Sequence, residues 1–557
     1  MQSKMALILV LAAMFCACSP RLEESDMQAF IDKHLEVIKP LEKDAALSYW
    51  NAALTGDEKD YQAYADSDLK LKQVYSDTRD FALLKKFRQS GNIHDPLLAR
   101  QLDVLYLSYL QNQIEPGLLK QIVNKGAEIE ERFNTFRGKI DGVEVTSNEI
   151  TEILKTEKNV EKRRSAWLAS KQVGPVIVDD LIDLVKLRNQ AARALGFDNY
   201  HTMTLVTDEQ DPEELDAIFQ DLYELTNEPF AEMKSELDKI LAKNVGVPVS
   251  ELRPWDYHDP FFQETPLVYQ LDLDAFYKDQ DVVKLAQQFY AGIGLPVDDI
   301  LAHSDLYERE GKNPHAFCTD IDREGDVRVL CNVKNNESWM ETMLHELGHG
   351  IYDKYQDPET PYLLRTPAHI FTTEAIAMFF GRLSRNGAWM QDMLGLTNAQ
   401  RNQIDKVGKK YARMKQLIFC RWVLVMYNFE KALYADPDQD LNTLWWDMVE
   451  KYQMVTRPEN RDKPDWAAKI HFSMAPCYYH NYQLGELFAS QLQHTLVTKV
   501  LMADEGTEVS YVNAKAAGDY IHEHVFKPGA KYTWNEMIEQ ATGEPLTPKY
   551  FVQQFVK

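Results

Sequence analysis

The stretch "METMLHELGHGIYDKY" (340–355) has the apolar pattern of a helix and carries two histidines four residues apart. Its apolar positions recur at spacings of 4, 3 and 4 residues, which places them in one stripe along a helix. These positions are Met340, Leu344, Leu347 and Ile351. Ser338, followed three residues later by Glu341, fits a capping box at the start of that helix. The stretch is therefore predicted to be one amphipathic helix.

The histidine pair on this helix is a candidate metal site. On a helix His345 and His349 lie about 40° apart and about 6 Å along the axis, so two imidazoles can converge on one ion. Glu346 projects beside them, where a carboxylate can act as a general base. A catalytic zinc also needs a third protein ligand and an open position. The pair alone does not establish a metal site.

A third ligand is predicted on the following helix, in "RTPAHIFTTEAIAMFFGRL" (365–383). Thr366-Pro367 is a helix-start signal, and Asn386-Gly387 is a stop signal. Glu374 lies inside this helix among apolar neighbours, so it is either buried or an ordinary solvated carboxylate. A buried, unpaired carboxylate is costly, and a bound cation would remove that cost. We therefore predict Glu374 as the third ligand.

The composition predicts a large globular protein, and the spacing of its apolar residues predicts that it is mostly helical. The 557 residues are 45% hydrophobic and 11% aromatic, enough for a sizeable core. The formal net charge of −25 argues against a nucleic-acid partner, because phosphate recognition needs clustered Lys and Arg. Residues 27–290 show helical periodicity almost throughout, with no internal repeat. The acidic residues are spread along the chain and indicate only a soluble surface.

Residues 314–333, "PHAFCTDIDREGDVRVLCNV", are the exception to the helical pattern. Two β-prone runs flank "REGD", which predicts a hairpin. A two-residue turn at Glu324-Gly325 would place Cys318 directly opposite Cys331, within disulfide range. We predict that disulfide, with two buried thiols as the alternative. Buried free thiols are also the expectation for Cys420 and Cys477.

The N-terminus is typical of an export signal. Lys4 precedes an apolar run, Met5 to Phe15, that is too short to span a bilayer. The run ends in "FCACSP", where Ala17-Cys18 resembles a bacterial lipobox and predicts lipidation of Cys18. Ordinary signal cleavage is the alternative. Either way, the protein is expected in the bacterial cell envelope, facing the periplasm or the exterior.

Together these motifs resemble the gluzincin metallopeptidases, and in detail the angiotensin-converting enzyme (peptidyl-dipeptidase A) family. "HAFCTD" (315–320) resembles the family's HAxxxD strand, and "KIHFSMAPCYYHNY" (469–482) resembles its KxHxxxxxP…Y segment. "LRNQAARALGFDNY" (187–200) and "RPWDY" (253–257) are similar to segments shared with thimet oligopeptidase. The motifs extend from about residue 180 to 490, and the first 170 residues carry no matching motif.

The resemblance implies a mainly α fold with two helical lobes around a deep substrate channel, and a small antiparallel hairpin beside the zinc helix. The N-terminal pattern gives a signal peptide (1–17) and a polar tether (18–27), and the resemblance assigns the rest (28–557) to one zinc peptidase domain. The expected protein is a monomer that holds one catalytic Zn²⁺ and cleaves short peptides. The lipid anchor would be its only contact with a membrane.

The resemblance also implies roles for individual residues. With His345, His349 and Glu374 holding zinc, Glu346 would assist attack of the zinc-bound water on the peptide bond. His471 and a tyrosine would stabilise the oxyanion; the family has that tyrosine ten residues after His471, where this chain has Asn481. A shift of one residue predicts Tyr482 instead. Further matches imply peptide-binding roles for Lys469 and Tyr478, which would hold a C-terminal carboxylate, and for His315 and Ala316, which would contact the peptide backbone.

One position departs from the family pattern. Angiotensin-converting enzyme has an Asp four residues after the ligand Glu, which orients a zinc histidine, whereas this chain has Met378. The most favoured activity is release of C-terminal dipeptides from short peptides. The alternatives are an oligoendopeptidase of the thimet type and a catalytically inactive peptide-binding lipoprotein. The intact Glu346 argues against the inactive form.

Overall fold

The computed structural model describes residues 22–269 and 272–556. Helices account for 69% of the structure, which confirms the predicted mainly α fold. The two lobes and the deep channel remain predictions. Among the described residues, none of the helices combines the length and the apolar character needed to cross a membrane.

The α-helices, in chain order, are α1 Glu24–Thr55, α2 Glu58–Tyr75, α3 Thr78–Ser90, α4 Pro96–Gln111, α5 Pro116–Thr135, α6 Ser147–Thr156, α7 Val160–Lys171, α8 Gly174–Ala194, α9 Tyr200–Thr207, α10 Pro212–Val245, α11 Asp274–Tyr277, α12 Val282–Gly292, α13 Asp298–His303, α14 Glu337–Lys354, α15 Ile370–Gly381, α16 Gly387–Leu394, α17 Asn398–Ala435, α18 Leu441–Met448, α19 His471–Met474, α20 His480–Thr495, α21 Lys515–Ile521, α22 Trp534–Thr542 and α23 Lys549–Phe555. The strands are β1 Gly138–Ile140, β2 Val143–Val145, β3 Phe317–Asp320 and β4 Val327–Leu330. They form two antiparallel hairpins, β1–β2 and β3–β4.

The predicted signal peptide and the lipidation site at Cys18 lie outside the described residues. Helix α1 begins at Glu24, so the last residues of the tether predicted at 18–27 belong to this helix. The α1–α4 region builds a small core of its own around Ile31, Phe87 and Tyr109. Most other buried side chains share one much larger core.

The two helices that carry the metal-site motif begin at different residues from those predicted. Asn336, rather than Ser338, caps α14, since its side chain accepts a hydrogen bond from the backbone N–H of Trp339 at 2.9 Å. Helix α15 is capped by His369 rather than Thr366. Asn386, predicted as a stop signal, caps the next helix, α16. Asn336 and Asn386 cap their helices by local bonds typical of Asn, whereas His369 is not among the side chains that commonly cap helices.

A glycine inside the histidine motif lets α14 and α15 pack closely. A Cβ added to Gly348 would lie 2.8 Å from the Cα of Ala377, a distance that real Cβ atoms essentially never adopt. Gly485 brings α20 against the same helix, since a Cβ there would meet the carbonyl oxygen of Phe371 at 3.4 Å. Helix α15 therefore lies between α14 and α20, and residues of all three helices come together.

The β3–β4 hairpin has a longer turn than the sequence predicts. Asp320 pairs with Val327, and the N–H of Ile321 donates to the carbonyl of Asp326 at 2.9 Å, which leaves a four-residue loop. The side chain of Asp320 stabilises this loop by accepting hydrogen bonds from the backbone N–H groups of Asp322 and Arg323. The side chain of Asp322 likewise accepts the N–H of Glu324, and these bonds to the loop backbone displace the turn from Glu324-Gly325.

The predicted disulfide between Cys318 and Cys331 is wrong. In the observed register Cys318 lies opposite Val329, two residues away from Cys331. Both cysteines are free thiols, as are Cys420 and Cys477, and the latter two are buried as predicted.

Candidate metal centre

The structure brings the three predicted metal ligands together. The Nε2 atoms of His345 and His349 lie 3.6 Å from Glu374 Oε1 and Oε2, respectively. One ligand atom from each residue can be chosen such that all three lie within 4.8 Å of one another. The imidazole rings are 5.0 Å apart and nearly perpendicular. Two histidines from α14 and one carboxylate from α15 therefore face a common point.

The electrostatics of the three groups fit a divalent cation. Burial lowers the pKa of His345 to about 4 and that of His349 to about 3, so both imidazoles are neutral at pH 7. Burial, with a contribution from Glu486, raises the pKa of Glu374 to about 7. Ionised Glu374 is thus destabilised, and a cation between the three groups would remove that penalty. Two neutral imidazoles and one carboxylate are the ligands of many catalytic zinc sites.

Sequence reasoning missed a partner of the metal-site histidines. Nδ1 of His349 lies 2.8 Å from the hydroxyl oxygen of Thr373, the residue just before Glu374. A hydrogen bond from Nδ1–H to Thr373 leaves Nε2 with its lone pair free for a metal. Thr373 therefore provides an outer hydrogen-bond partner for His349. The sequence did not identify this partner, because the family's Asp position is occupied by Met378 in this chain. The fold alone brings the threonine to the ring, so no local pattern could reveal it.

Replacing Thr373 with Val should weaken zinc binding about tenfold, because outer hydrogen-bond partners of metal histidines contribute roughly 10- to 100-fold in affinity. Competition with a chromophoric chelator measures this change. Thr372 is a matched control, since its hydroxyl donates to the carbonyl of His369 and caps α15. Thr372→Val should lower the unfolding temperature with little effect on zinc affinity, and Thr373→Ser should keep zinc affinity near the original value. Equal zinc affinity of Thr373→Val and the original protein would exclude the role.

Glu346 lies beside the metal site and next to the β3–β4 hairpin. Its side chain is buried, and the backbone N–H of Cys318 in β3 donates a hydrogen bond to its carboxylate. Burial and the nearby Glu374 raise the pKa of Glu346 to about 8. A carboxylate with a pKa close to neutrality is suited to accept and return a proton.

Two tyrosines lie near the metal site. The rings of Tyr478 and Tyr482 are 5.3 Å apart, and Glu374 helps to raise the pKa of both hydroxyls, after the larger effect of burial. Asn481 occupies the family's tyrosine position but is buried, and its side-chain oxygen accepts a hydrogen bond from Gln210 at 2.7 Å. Asn481 therefore has a structural partner, while Tyr482 is placed near Glu374.

His471 lies beside Tyr479, within reach of the charge of Lys469. Its ring is 5.0 Å from that of Tyr479, and its Nδ1 atom is buried without a hydrogen-bond partner among the described residues. Burial, together with the charge of Lys469, lowers the pKa of His471 to about 4. A neutral imidazole with an unused nitrogen can hydrogen-bond a substrate.

The Lys469 ammonium is buried in a group of aromatic rings. Its Nζ lies 5.2 Å from the ring centroids of Trp422 and Tyr479 and donates a hydrogen bond to Gln263 at 2.7 Å. Burial lowers the pKa of Lys469 to about 8. The tyrosine beside Lys469 is Tyr479, whereas Tyr478, predicted for this place, lies near Glu374. Neither Tyr479 nor Gln263 was identified from the sequence.

His315 and Ala316 immediately precede strand β3. His315 is exposed and Ala316 is partly buried. Among the described residues, β3 pairs only with β4, so no strand pairs with its other edge.

A family model matches this chain. The model for angiotensin-converting enzyme, peptidase M2, matches residues 21–553. No curated protein matches the chain. Because the match covers nearly the whole sequence, the chain belongs to the angiotensin-converting enzyme family of zinc metallopeptidases.

Proposed function

We propose that this zinc peptidase removes dipeptides from the C-terminus of short peptides. The observation that carries the proposal is the buried ammonium of Lys469. Among the described residues, no carboxylate lies within ion-pair distance of this ammonium. The charges of Asp259 and Glu264 raise the pKa of Lys469, but neither carboxylate lies within ion-pair distance of its ammonium. A buried cation of this kind can bind a terminal carboxylate, with Gln263 and the hydroxyl of Tyr479 as further polar groups.

In the proposed mechanism His345, His349 and Glu374 hold one zinc ion. When bound, zinc polarises the scissile carbonyl and lowers the pKa of water. Glu346 accepts a proton from the attacking water and passes it to the leaving amine. The Tyr482 hydroxyl and His471 donate hydrogen bonds to the developing oxyanion. His315 and Ala316 extend the β3 edge along which the peptide backbone binds.

Lys469→Met keeps the aliphatic stem but removes the ammonium. We expect KM for peptides with a free C-terminus to rise about 100-fold, since truncating one partner of a buried charge pair costs several kcal/mol. C-terminally amidated peptides should be hydrolysed poorly by the original protein and change little in the variant. Steady-state kinetics on a free and amidated peptide pair measures both effects.

Lys171 provides a matched control for that experiment. It is also buried, and its Nζ lies 3.2 Å from the centroid of Phe261, a ring that Lys469 approaches at 5.6 Å. Lys171→Met should keep the preference for free over amidated peptides. An equal loss on both peptides in Lys469→Met would contradict the carboxylate anchor. Internal fragments in the product masses would favour an oligoendopeptidase, and absence of any cleavage would favour an inactive peptide-binding protein.

We further propose that the protein acts outside the cytoplasm, tethered by a lipid at Cys18. The support is the sequence pattern at residues 4–18. Metabolic labelling with a fatty acid, compared between the original chain and Cys18→Ser, tests this tether.

A further inference from the structure

We propose that Gln210, on the loop after α9, is a positioning residue for the reaction: it holds the first turn of α20 so that the Tyr482 hydroxyl faces the oxyanion. This inference rests on the proposed function, because it takes Tyr482 as the oxyanion donor. It adds to that function a residue that no motif of the sequence identified.

The backbone of α20 brings Tyr482 to the metal site. A Cβ added to Gly485, three residues further along this helix, would lie 3.6 Å from Glu374 Cγ and 3.5 Å from the backbone nitrogen of Ala375. Residues three apart lie on the same face of a helix, about 4.5 Å apart along its axis. Tyr482 is therefore on the face of α20 that contacts α15, the helix that supplies the ligand Glu374.

The side chain of Tyr482 is held by ring contacts alone. Its ring packs against those of Tyr478 and Tyr479, with centroids 5.3 Å and 5.4 Å away. Among the described residues, its hydroxyl makes no hydrogen bond, which leaves it able to bond a substrate. The place of this hydroxyl therefore depends on the backbone of the first turn of α20.

That first turn is held from outside the helix. The N-cap residue, Tyr479, makes no side-chain cap hydrogen bond, and an uncapped helix end is prone to fray. The side chain of Gln210 bonds the two residues that precede Tyr482. Its Nε2 atom donates to Asn481 Oδ1 at 2.7 Å, and its Oε1 atom lies 2.7 Å from His480 Nε2.

Both ends of the Gln210 amide are used in this contact. Burial lowers the pKa of His480 well below its usual range, so the ring is neutral. Because an amide oxygen only accepts, the Nε2–H of His480 donates to Gln210. Gln210, His480 and Asn481 are each at most 2% exposed. Buried hydrogen bonds of this kind face little competition from water and fix a single arrangement.

The backbone of Gln210 is itself firmly held. Its N–H donates to the carbonyl of Leu205 in α9 at 2.8 Å. The preceding residue, Glu209, has a φ of +60°, in the left-handed region. Its carboxylate accepts two hydrogen bonds from Arg100 on α4, and its carbonyl accepts one from Trp534 at 2.9 Å. Such a backbone conformation persists only where the surrounding contacts hold it. Gln210 therefore presents its amide from a rigid base.

Replacing Gln210 with Leu keeps a side chain of similar size and removes both hydrogen bonds. A misplacement of about 1 Å in a catalytic group can cost roughly 100-fold in rate. We expect kcat to fall about tenfold, with KM within about twofold of the original, because Tyr482 acts on the transition state. Zinc affinity should not change, since no metal ligand is altered.

A double-mutant cycle with Tyr482→Phe separates positioning from a general loss of structure. Tyr482→Phe alone should lower kcat about 100-fold, as expected for loss of an oxyanion donor. If Gln210 acts through Tyr482, adding Gln210→Leu to Tyr482→Phe should change kcat by no more than about twofold. A merely structural role would give the same tenfold loss in both backgrounds.

Gln491, at the other end of α20, provides a matched control. It is also buried, and its amide donates to the Thr542 hydroxyl at 2.8 Å and to the carbonyl of Glu544 at 2.9 Å. Gln491→Leu should lower the unfolding temperature about as much as Gln210→Leu, while its kcat stays within about twofold of the original.

The measurements are kcat and KM of the zinc-loaded variants on one peptide with a free C-terminus. An unchanged kcat in Gln210→Leu, a loss in KM instead, or additive losses in the cycle would overturn the positioning role. If Gln210→Leu does not fold, Asn481→Leu, which removes one of the two bonds, takes its place in the cycle. A Tyr482→Phe protein with the original kcat would remove the oxyanion role in the proposed function, whereas additive losses would remove only the role of Gln210.

Discussion

Replacing Glu346 with Gln should lower kcat by about 10³-fold while the protein keeps its zinc, because a positioned general base contributes roughly 10²- to 10⁴-fold. Gln retains the shape of the side chain and an oxygen that can accept the N–H of Cys318. It cannot take a proton from water at neutral pH. None of the three metal ligands is altered, so zinc content and zinc affinity should change little.

Glu341→Gln is the matched control, since Glu341 lies on α14 about 140° around the axis from Glu346. Its carboxylate pairs with Arg385 at 3.0 Å and is partly exposed, so its loss should have a small effect. Zinc content by mass spectrometry and steady-state kinetics decide the outcome. If Glu346→Gln retained more than about a tenth of the original kcat with full zinc occupancy, Glu346 would not be the general base.

The metal ligands could be predicted from the sequence because their arrangement depends on local geometry. The four-residue spacing of His345 and His349 fixes their relation on any helix, and the apolar setting of Glu374 indicated burial. Gly348 could also have predicted that a second helix packs closely against the histidine motif. A glycine between the two histidines permits the 2.8 Å approach to Ala377 that brings the two helices together.

Features that depend on tertiary packing could not be predicted in the same way. Thr373 reaches His349 only because α15 crosses α14 closely, and Gln263 reaches Lys469 across 206 residues of sequence. The sequence pairs Lys469 with Tyr478, whereas in the structure the ring of Tyr479 lies against its ammonium; the peptide-binding role of Tyr478 stays a prediction. A run of two adjacent tyrosines, Tyr478 and Tyr479, does not reveal which ring faces the ammonium until the backbone around it is known.

The β3–β4 hairpin shows how a small local error can have a large consequence. The strands were predicted correctly, but the turn was placed at the glycine because glycine favours tight turns. Asp320 and Asp322 instead bond the backbone of the loop, and the pairing shifts by two residues. That shift removes the direct opposition of Cys318 and Cys331 on which the disulfide prediction rested, while leaving Cys318 beside Glu346.

Zinc affinity should depend on pH through Glu374, and Glu374→Gln should remove that dependence. Because the pKa of Glu374 in the metal-free protein is about 7, this carboxyl is increasingly protonated below pH 7. Zinc must displace that proton, so affinity should fall about tenfold for each pH unit between pH 7 and 5. The two histidines, with pKa values of about 4 and 3, add little to this slope.

Glu374→Gln replaces the anionic ligand by a neutral amide. We expect zinc affinity at pH 7 to fall by at least about 100-fold, since losing an outer partner alone costs roughly 10- to 100-fold. The affinity should then vary little between pH 5 and 7, because no remaining ligand titrates there. Glu346→Gln is the control that keeps all three ligands, and it should retain the slope of the original protein. Chelator competition at several pH values measures each variant. A Glu374→Gln protein that bound zinc as tightly as the original, with the same slope, would show that another residue completes the site.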